Sequence, residues 1–515
     1  MKNISLLLLA FLFLQCSMKT QCPDNIHPHD LVLSTPEAEN VQSQGILDFI
    51  ESIEKKEIKL HSFILLRHGK VVAEGWWDPY KPDARHIMYS VSKIFTSTAV
   101  GFAVNEKLLS LDDKVVSFFP EYKDAYAANP YMQELTVRNL ITMTAGNEPW
   151  PDFRMRNMDW VNDFLSADLN EKTANRFIYN SYATYMASVI IQRVTGSTML
   201  DYLKPRLFEP LGISDIASEQ SPSGFTCGGW GMSVLTADMA KLGQLYLQKG
   251  KWNGEQLLPE SWIEEASSMQ IDNGANLSPS ERAQTDWGQG YGYFIWQCRH
   301  NAFRADGAFG QLIVVMPDQD AVLVATADTH DMGKELQQVW DHILPAISDK
   351  ELPENKDAYK ALTAKLESLA LPEPNMKSEK DKNPDFAGTY TMEKNDLGIV
   401  SIEIKQQNNL CNLILRTGSA THNLTTGNNK WEYSVTDRNS PYYNQSYRNP
   451  IGLSPFKVAG YYTWKDAQNL LLKLVYLEDS SFENYKITFD GKKINLLYTN
   501  SEDDSKPIEL VGNLN

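Results

Sequence analysis

MYSVSKIFTS, residues 88–97, places two serines and a lysine at the start of an apolar segment. Apolar side chains recur at helical spacing from Ile94 to Val104, which predicts a buried helix preceded by Ser90-Val-Ser-Lys93. A hydroxyl and an amine three residues apart share one face of a helix, so the amine can reach the hydroxyl. Because a serine needs a base before it becomes a good nucleophile, and a desolvated lysine is such a base, the stretch indicates nucleophilic catalysis.

The spacing alone is weak evidence, since it also occurs at Ser52 and Ser454. Ser52 lies among charged residues and Ser454 precedes a proline, whereas Ser90 opens a mostly apolar helix that could shield Lys93 from water. The alternative interpretation is structural: Ser90 or Ser92 caps the helix and Lys93 is a surface lysine.

The length of 515 residues predicts at least two domains. Residues 43–347 mix helical and strand patterns, with hairpin patterns at Phe63–Gly75 and Ile313–Ala327 on either side of a helical interior. This arrangement predicts an α+β domain whose sheet is built from both ends of the segment. Residues 348–385 read as a charged linker with one helix, Lys356–Leu369, and residues 386–515 as a small all-β domain.

Composition and charge exclude several classes of protein. Hydrophobic residues make up 42% and charged residues 22%, as in a folded globular chain. The net charge of −17 argues against nucleic acid as a partner. The nine histidines are scattered without ligand spacing, so no metal or other cofactor is predicted, and His300 is interpreted as structural.

The first 22 residues have the pattern of an export leader. An apolar run from Leu6 to Leu14 follows Lys2 and ends just before Cys16, as in a bacterial lipoprotein signal, although Gln15 is larger than such signals prefer. We expect an exported protein, either periplasmic or anchored to a membrane through a lipidated Cys16. The other four cysteines could form disulfides or be isolated buried thiols: Cys22, Cys227, Cys298 and Cys411.

Five blocks of sequence, in this order, resemble the penicillin-recognising serine hydrolases related to class C β-lactamases. They are RHGKVVAEGWW, MYSVSKIFTSTAVGFAVNEKLLSLDDKVVSFFPEY, LTVRNLITMTAG, FIYNSYATYMASVIIQRVTG and GGWGMSVLTADMAKLGQLYL. The family includes DD-peptidases, esterases and 6-aminohexanoate-dimer hydrolases. The resemblance covers about residues 43–347 and implies an antiparallel sheet with flanking helices and an all-helical subdomain.

The resemblance implies roles for individual residues. Ser90 would be the acylated nucleophile, Lys93 its proton acceptor, and Tyr179 the phenol that relays a proton to the leaving group. A phenol beside a cationic lysine is expected to have a lowered pKa. The family's Tyr-x-Asn asparagine aligns with Ser181, and Asn180 occupies the intervening place, so both belong to the predicted substrate-binding set. Ser181 is an equally good helix cap.

The family's third motif aligns with Ala305-Asp306-Gly307, and no cation stands at its first position. In the β-lactam enzymes that cation holds a substrate carboxylate, so its loss argues against a β-lactamase unless Arg304 substitutes for it. Asp306, Gly307 and Arg304 complete the predicted substrate-binding set. The Ala308 amide, together with that of Ser90, would form the oxyanion hole, whereas the alternative for this segment is a glycine-kinked edge strand.

These assignments predict acyl transfer to Ser90 from an ester, amide or lactam carbonyl of a small-molecule or peptide substrate. Two alternatives stay open: a non-hydrolytic penicillin-binding or sensing protein on the same scaffold, and a C-terminal β domain that binds glycans or lipids through its aromatic residues. The sequence does not predict the oligomeric state. The aromatic residues in question are Trp431, Tyr433, Tyr442, Tyr443, Tyr461, Tyr462 and Trp464.

Overall fold

The computed structural model describes residues 29–146, 159–170, 176–372, 386–441, 450–451, 455–501 and 503–515. Residues Leu31–Asn515 form one compact unit. The predicted leader with Cys16 and Cys22 lies outside the described residues, as do Tyr442, Tyr443 and Ser454, so the predictions about them stay predictions. In the described part of the chain, no helix is long and apolar enough to cross a membrane.

The helices concentrate in the first two thirds of the chain. Apolar patterns predict helices over Ile94–Val104, Tyr182–Val194 and Ala237–Leu247. Each lies within an observed helix: Ser92–Asn105, Ser181–Thr195 and Thr236–Leu247. The helices are α1 Ser43–Lys55, α2 Ser92–Asn105, α3 Lys123–Tyr126, α4 Pro130–Glu134, α5 Val137–Ile141, α6 Trp160–Leu165, α7 Ser181–Thr195, α8 Met199–Leu203, α9 Thr236–Leu247, α10 Glu260–Ala266, α11 Pro279–Arg282, α12 Met332–Gln338, α13 Leu344–Ala346 and α14 Lys356–Glu367.

The strands described form a six-stranded sheet in the predicted hydrolase region, a ten-stranded sheet in the C-terminal region and three two-stranded sheets. They are β1 Lys59–Arg67, β2 Lys70–Trp76, β3 His86–Ile87, β4 Ser218–Glu219, β5 Ser233–Val234, β6 Lys251–Trp252, β7 Glu255–Gln256, β8 Trp296–Gln297, β9 Phe303–Gly307, β10 Gln311–Met316, β11 Ala321–Asp328, β12 Gly388–Met392, β13 Ile399–Gln407, β14 Leu410–Thr417, β15 Thr421–Asn428, β16 Glu432–Thr436, β17 Pro450–Ile451, β18 Phe456–Trp464, β19 Asn469–Tyr476, β20 Phe482–Asp490, β21 Lys493–Asn500 and β22 Asp503–Leu514.

The first sheet is antiparallel and has the order β2-β1-β11-β10-β9-β8. Both predicted hairpins are confirmed: His68 and Gly69 turn the first with φ of 50° and 72°, and Asp320, with φ of 42°, ends the second turn. Because β1 pairs with β11, the sheet joins the two ends of the segment, as predicted.

Helices cover both faces of this sheet. On one face α9 packs against β1, β10 and β11, and the buried helices α2 and α7 lie in the same hydrophobic core. On the other face a second core holds α1, α12, α13 and one side of α14. The structure therefore has the predicted α+β architecture, with the helices from α2 to α8 as the helical subdomain.

The C-terminal strands β12–β15 and β18–β22 close into a barrel, because β15 at one edge of the sheet pairs with β18 near the other. Tyr462 and Trp464, two of the aromatic residues considered for ligand binding, are buried in the core of this barrel. Within the predicted linker, α14 buries Leu362 against the hydrolase region, and Lys365 pairs with Glu54 of α1 at 2.6 Å. The predicted domain boundaries stay predictions.

Candidate active site

Ser90 lies in a short 3₁₀ turn, Tyr89–Val91, immediately before α2. No side chain caps the start of α2, since the N-cap residue is Val91. The Ser92 hydroxyl instead accepts a hydrogen bond from the Met232 amide at 3.1 Å. The capping interpretation of these two serines is therefore wrong, and Ser90 is left half-buried with its hydroxyl directed at Lys93.

Lys93 is 1% exposed, and its amine has three oxygen partners. The Nζ atom lies 2.9 Å from the Ser90 hydroxyl, 3.1 Å from the Ser181 hydroxyl and 2.8 Å from the Gly229 carbonyl oxygen. Burial lowers the pKa of Lys93 to about 7, although the nearby Asp306 carboxylate opposes the shift. The lowered pKa makes an uncharged amine accessible next to Ser90 near neutral pH, which is the requirement for a lysine base.

Tyr179 lies two residues before α7, and its side chain reaches Ser90 and Lys93 from the helical subdomain. Its phenol hydrogen-bonds to Ser90, and Lys93 Nζ lies 4.9 Å from the centre of its ring. The expected lowering of the phenol pKa is wrong: burial raises the pKa of Tyr179 well above its usual value, and Asp306 adds to the rise. Tyr179 is thus a protonated phenol in the resting site, able to donate a proton.

The structure separates the two residues that follow Tyr179. Asn180 is the N-cap of α7, its side-chain oxygen accepts from the Tyr182 amide at 2.7 Å, and it is 1% exposed. Its side-chain oxygen is thus engaged at the helix terminus, and its place in the substrate-binding set stays a prediction. Ser181, which was considered as the cap, is the first residue of the helix and directs its hydroxyl to Lys93.

The third motif lies on β9, which pairs in regular register with β10 on one side and with the two-residue β8 on the other. Arg304 and Asp306 are two residues apart on this strand and form an ion pair of 2.8 Å between Nε and Oδ2. Burial raises the pKa of the Asp306 carboxyl, and the Arg304 guanidinium opposes the rise.

Arg304 does not replace the missing family cation. Its side chain is 1% exposed and lies under the rings of Trp287 and Trp296, 4.4 and 5.5 Å from their centres. One of its terminal nitrogens donates to the Asp286 carbonyl oxygen at 2.8 Å. The side chain is therefore buried and already paired with Asp306, so it is not free to hold a substrate carboxylate.

The two predicted oxyanion-hole residues come from neighbouring turns. A methyl group on Gly307 would lie 2.3 Å from the Met88 carbonyl oxygen and 3.1 Å from the Ser90 amide nitrogen, so the end of β9 contacts the turn that carries Ser90. Ala308 follows at once and is half-buried. The close approach at Gly307 therefore places the residue before Ala308 against the turn that carries Ser90, and the oxyanion hole formed by the two amides stays a prediction. β9 is not kinked, since its register with β10 is unbroken.

Sequence reasoning missed two contributors to the site. One is the Gly229 carbonyl oxygen, a backbone group with no signal of its own, although Gly228-Gly229 allows the chain to pass close to Ser188 and Ser181. The other is an aromatic wall in which Trp296 stacks on Tyr179, with ring centres 5.4 Å apart, and meets Tyr291 edge-on at 4.8 Å.

The remaining candidates lie elsewhere. His300 is exposed in the turn between β8 and β9. Cys227, Cys298 and Cys411 are buried free thiols. Among the described residues, no group of His, Cys, Asp or Glu side chains is arranged to hold a metal ion.

The sheet, the helical subdomain and the sequence profile together define a β-lactamase-like serine hydrolase. The Beta-lactamase profile matches residues 53–346, more than half of the chain. The chain belongs to the Beta-lactamase family.

Three known proteins illustrate the similarity. The 6-aminohexanoate-dimer hydrolase of Paenarthrobacter ureafaciens is 24% identical over 322 residues, which cover 58% of this chain and 80% of that protein. Protein flp of Staphylococcus aureus strain MW2 is 24% identical over 198 residues, or 35% of this chain and 39% of that protein. A penicillin-binding protein homologue from Caulobacter crescentus superposes with a TM-score of 0.47 at 16% identity, covering 61% of this chain and 100% of the other.

Proposed function

We propose that Ser90 is the nucleophile of this serine hydrolase, that Lys93 is its base, and that Tyr179 delivers a proton to the leaving group. The observation that carries the proposal is the buried Lys93 amine, whose pKa is lowered to about 7 and whose nitrogen lies 2.9 Å from the Ser90 hydroxyl. An uncharged amine has two hydrogens and one lone pair. The two N–H groups donate to the Gly229 carbonyl oxygen and to the Ser181 hydroxyl, and the lone pair accepts the proton of Ser90.

In the first step Ser90 Oγ attacks the substrate carbonyl carbon while its proton passes to Lys93. The carbonyl oxygen becomes an oxyanion and accepts hydrogen bonds from the amides of Ser90 and Ala308; one such donor contributes roughly 10²- to 10³-fold to the rate. When the bond to the leaving group breaks, Tyr179 gives that group a proton and recovers one from Lys93. Water then attacks the acyl-enzyme by the reverse sequence, which releases the acid and restores Ser90.

We further propose that the substrate is an ester or amide without a carboxylate beside the reacting carbonyl. The support is the ion pair at the third motif, in which the buried Arg304 is already paired with Asp306 and covered by the Trp287 ring. A substrate carboxylate at this position would face another carboxylate and lose affinity. The 6-aminohexanoate-dimer hydrolase relative is named for a dimer of an amino acid, which supports an amide as the substrate here. Because this relative is named a hydrolase, it gives no support to the alternative of a non-hydrolytic penicillin-binding or sensing protein.

A substrate comparison tests the proposal. Wild type and Ser90→Ala would be assayed with p-nitrophenyl acetate, with a linear N-acyl amide and with a penicillin, which carries a carboxylate beside its lactam. We expect turnover of the ester and the amide, at most weak turnover of the penicillin, and none by Ser90→Ala. Efficient penicillin turnover would overturn the substrate proposal, and undiminished activity of Ser90→Ala would overturn the assignment of the nucleophile.

A further inference from the structure

The C-terminal barrel inserts a loop beside the nucleophile. This loop, Leu477–Ser481, joins β19 to β20 and is hereafter the β19–β20 loop. Its five residues are at most 5% exposed, including the acidic Glu478 and Asp479 at 2% each. Buried carboxylates are rare unless they have partners, so the partners of these two indicate what the loop does.

The β19–β20 loop binds the chain segment that leads into Ser90. The Ile87 amide donates to the Glu478 carbonyl oxygen at 3.0 Å, and Arg85 donates to the Glu478 carboxylate at 3.2 Å. Two residues further on, the Tyr89 phenol donates to Asp479 Oδ1 at 3.0 Å and lies 3.3 Å from the Ser480 hydroxyl. Three of the five residues before the nucleophile are thus hydrogen-bonded to the β19–β20 loop.

Tyr89 needs such support because its backbone is strained. Its φ is 43°, in the left-handed region that non-glycine residues rarely adopt. Phe309 has a φ of 66° and the same kind of strain. The two rings contact each other edge to face, with centres 5.3 Å apart. Tyr89 directly precedes Ser90 and Phe309 directly follows Ala308, so this ring pair flanks both oxyanion-hole amides.

The Asp479 carboxylate is itself fixed. Its Oδ1 also accepts from the Ser480 amide at 2.8 Å, and its Oδ2 accepts from the Ser440 hydroxyl at 2.9 Å. A carboxylate held by several donors is a rigid acceptor, and a hydrogen bond to it is stronger than one between neutral groups.

We propose that Asp479 is a positioning residue for the oxyanion hole, acting through the Tyr89 phenol. The inference rests on the proposed function and adds to it a role for the C-terminal barrel: the β19–β20 loop holds Tyr89 in its left-handed conformation, and so aims the Ser90 amide at the developing oxyanion. Asp479 does not touch the substrate in this account.

The test removes one hydroxyl at each of two places in the same interface. Tyr89→Phe loses the bond to Asp479 and keeps the ring that contacts Phe309. Tyr433→Phe is the matched control, because the Tyr433 phenol, on β16 next to the barrel strand β18, also donates to an aspartate of the hydrolase region, Asp78 at 2.8 Å, and has no role at the site. The readouts are kcat and KM for p-nitrophenyl acetate and the affinity for a boronic acid, whose tetrahedral adduct on serine uses both oxyanion-hole amides.

We expect Tyr89→Phe to lower kcat about 10-fold or more, and boronate affinity by a similar factor, with KM changed less than about twofold. Tyr433→Phe should leave all three at the wild-type level. Asp479→Ala should reproduce the loss, and the double variant with Tyr89→Phe should be no worse than the poorer single variant, because both break one interaction.

Equal kcat and boronate affinity in Tyr89→Phe and Tyr433→Phe would overturn the inference while leaving the proposed function intact. A loss in thermal stability without a loss in boronate affinity would do the same, since it would show a merely structural role. If Tyr89→Phe does not fold, Asp479→Ala decides by the same readouts. Full activity of Ser90→Ala would instead remove the proposed function, and this inference with it.

Discussion

At the scale of single residues, function depends on the burial of Lys93, which lowers the pKa of its amine. In water a lysine amine is protonated at neutral pH and cannot accept the proton of a serine. Burial on α2 lowers the pKa to about 7, and Asp306 limits the shift by favouring the charged form. The sequence predicted a shielded lysine because the helix is apolar, but not the Gly229 carbonyl, which lies 136 residues away and is a backbone atom.

This pKa predicts a pH dependence. As pH rises towards 7 the uncharged fraction of Lys93 rises, so kcat/KM should increase up to tenfold per pH unit below 7 and level off above it. Lys93→Ala should lower kcat/KM about 10²- to 10⁴-fold and abolish the rise of kcat/KM with pH. The measurement is the pH profile of kcat/KM for p-nitrophenyl acetate. A rise of the wild-type kcat/KM with its midpoint above pH 9 would contradict the assignment of Lys93 as the base.

Tyr179 makes a different prediction, because its raised pKa keeps the phenol protonated at neutral pH, so that a proton is present for the leaving group. An amine must be protonated as it leaves, whereas p-nitrophenolate leaves without a proton. Tyr179→Phe should therefore reduce amide hydrolysis about 10²-fold more than hydrolysis of p-nitrophenyl acetate. The ratio of the two kcat/KM values, compared with wild type, measures the effect. Equal losses for both substrates would exclude a role in protonating the leaving group.

At the scale of elements, the site depends on the contact between the end of β9 and the turn before α2. The sequence predicted the hairpins and the long helices well, because apolar periodicity and turn residues mark them locally. It left the role of Ser181 open between helix cap and substrate donor. The structure makes Asn180 the cap and brings the Ser181 hydroxyl to Lys93, a tertiary contact that the sequence does not show.

The close approach at Gly307 can be tested by adding one methyl group. Gly307→Ala would push the end of β9 away from Met88 and Ser90, so kcat should fall about 10²-fold as the two amides separate. Gly101→Ala is the comparison: its methyl group would collide with the Trp262 ring between α2 and α10, and should lower thermal stability while the folded enzyme keeps its kcat. A Gly307→Ala enzyme with wild-type kcat would refute the proposed geometry.

At the scale of the whole molecule, the two sheets meet around a buried histidine pair. His86 Nδ1 donates to the Ile87 carbonyl at 2.9 Å, so its Nε2 accepts from His61 Nδ1 at 3.0 Å, and both rings are uncharged. Tyr80 stacks on His61 at 3.7 Å and donates to the Asp479 carbonyl in the barrel. Nothing local in the sequence predicts this meeting, because it depends on which surfaces pack together after each part has folded.

Burial lowers the pKa of both His61 and His86 below the ordinary value. The unfolded chain therefore binds protons below about pH 6.5 that the folded chain does not, and stability should fall there by up to about 2.7 kcal/mol per pH unit for two protons. Thermal melts from pH 8 to 5 measure this. The His61→Gln/His86→Gln variant should lose much of the slope, and His68→Gln, at the surface, should keep it; equal slopes in all three proteins would disprove the assignment.

The central claim is that a substrate becomes covalently attached to Ser90. The most direct measurement is to treat the protein with a fluorophosphonate near pH 8 and to map the modified residue by mass spectrometry of its peptides. We expect one adduct, on the peptide containing Ser90, with labelling slowed strongly in Lys93→Ala and abolished in Ser90→Ala. An adduct on another serine, or undiminished labelling of Ser90→Ala, would contradict the central claim.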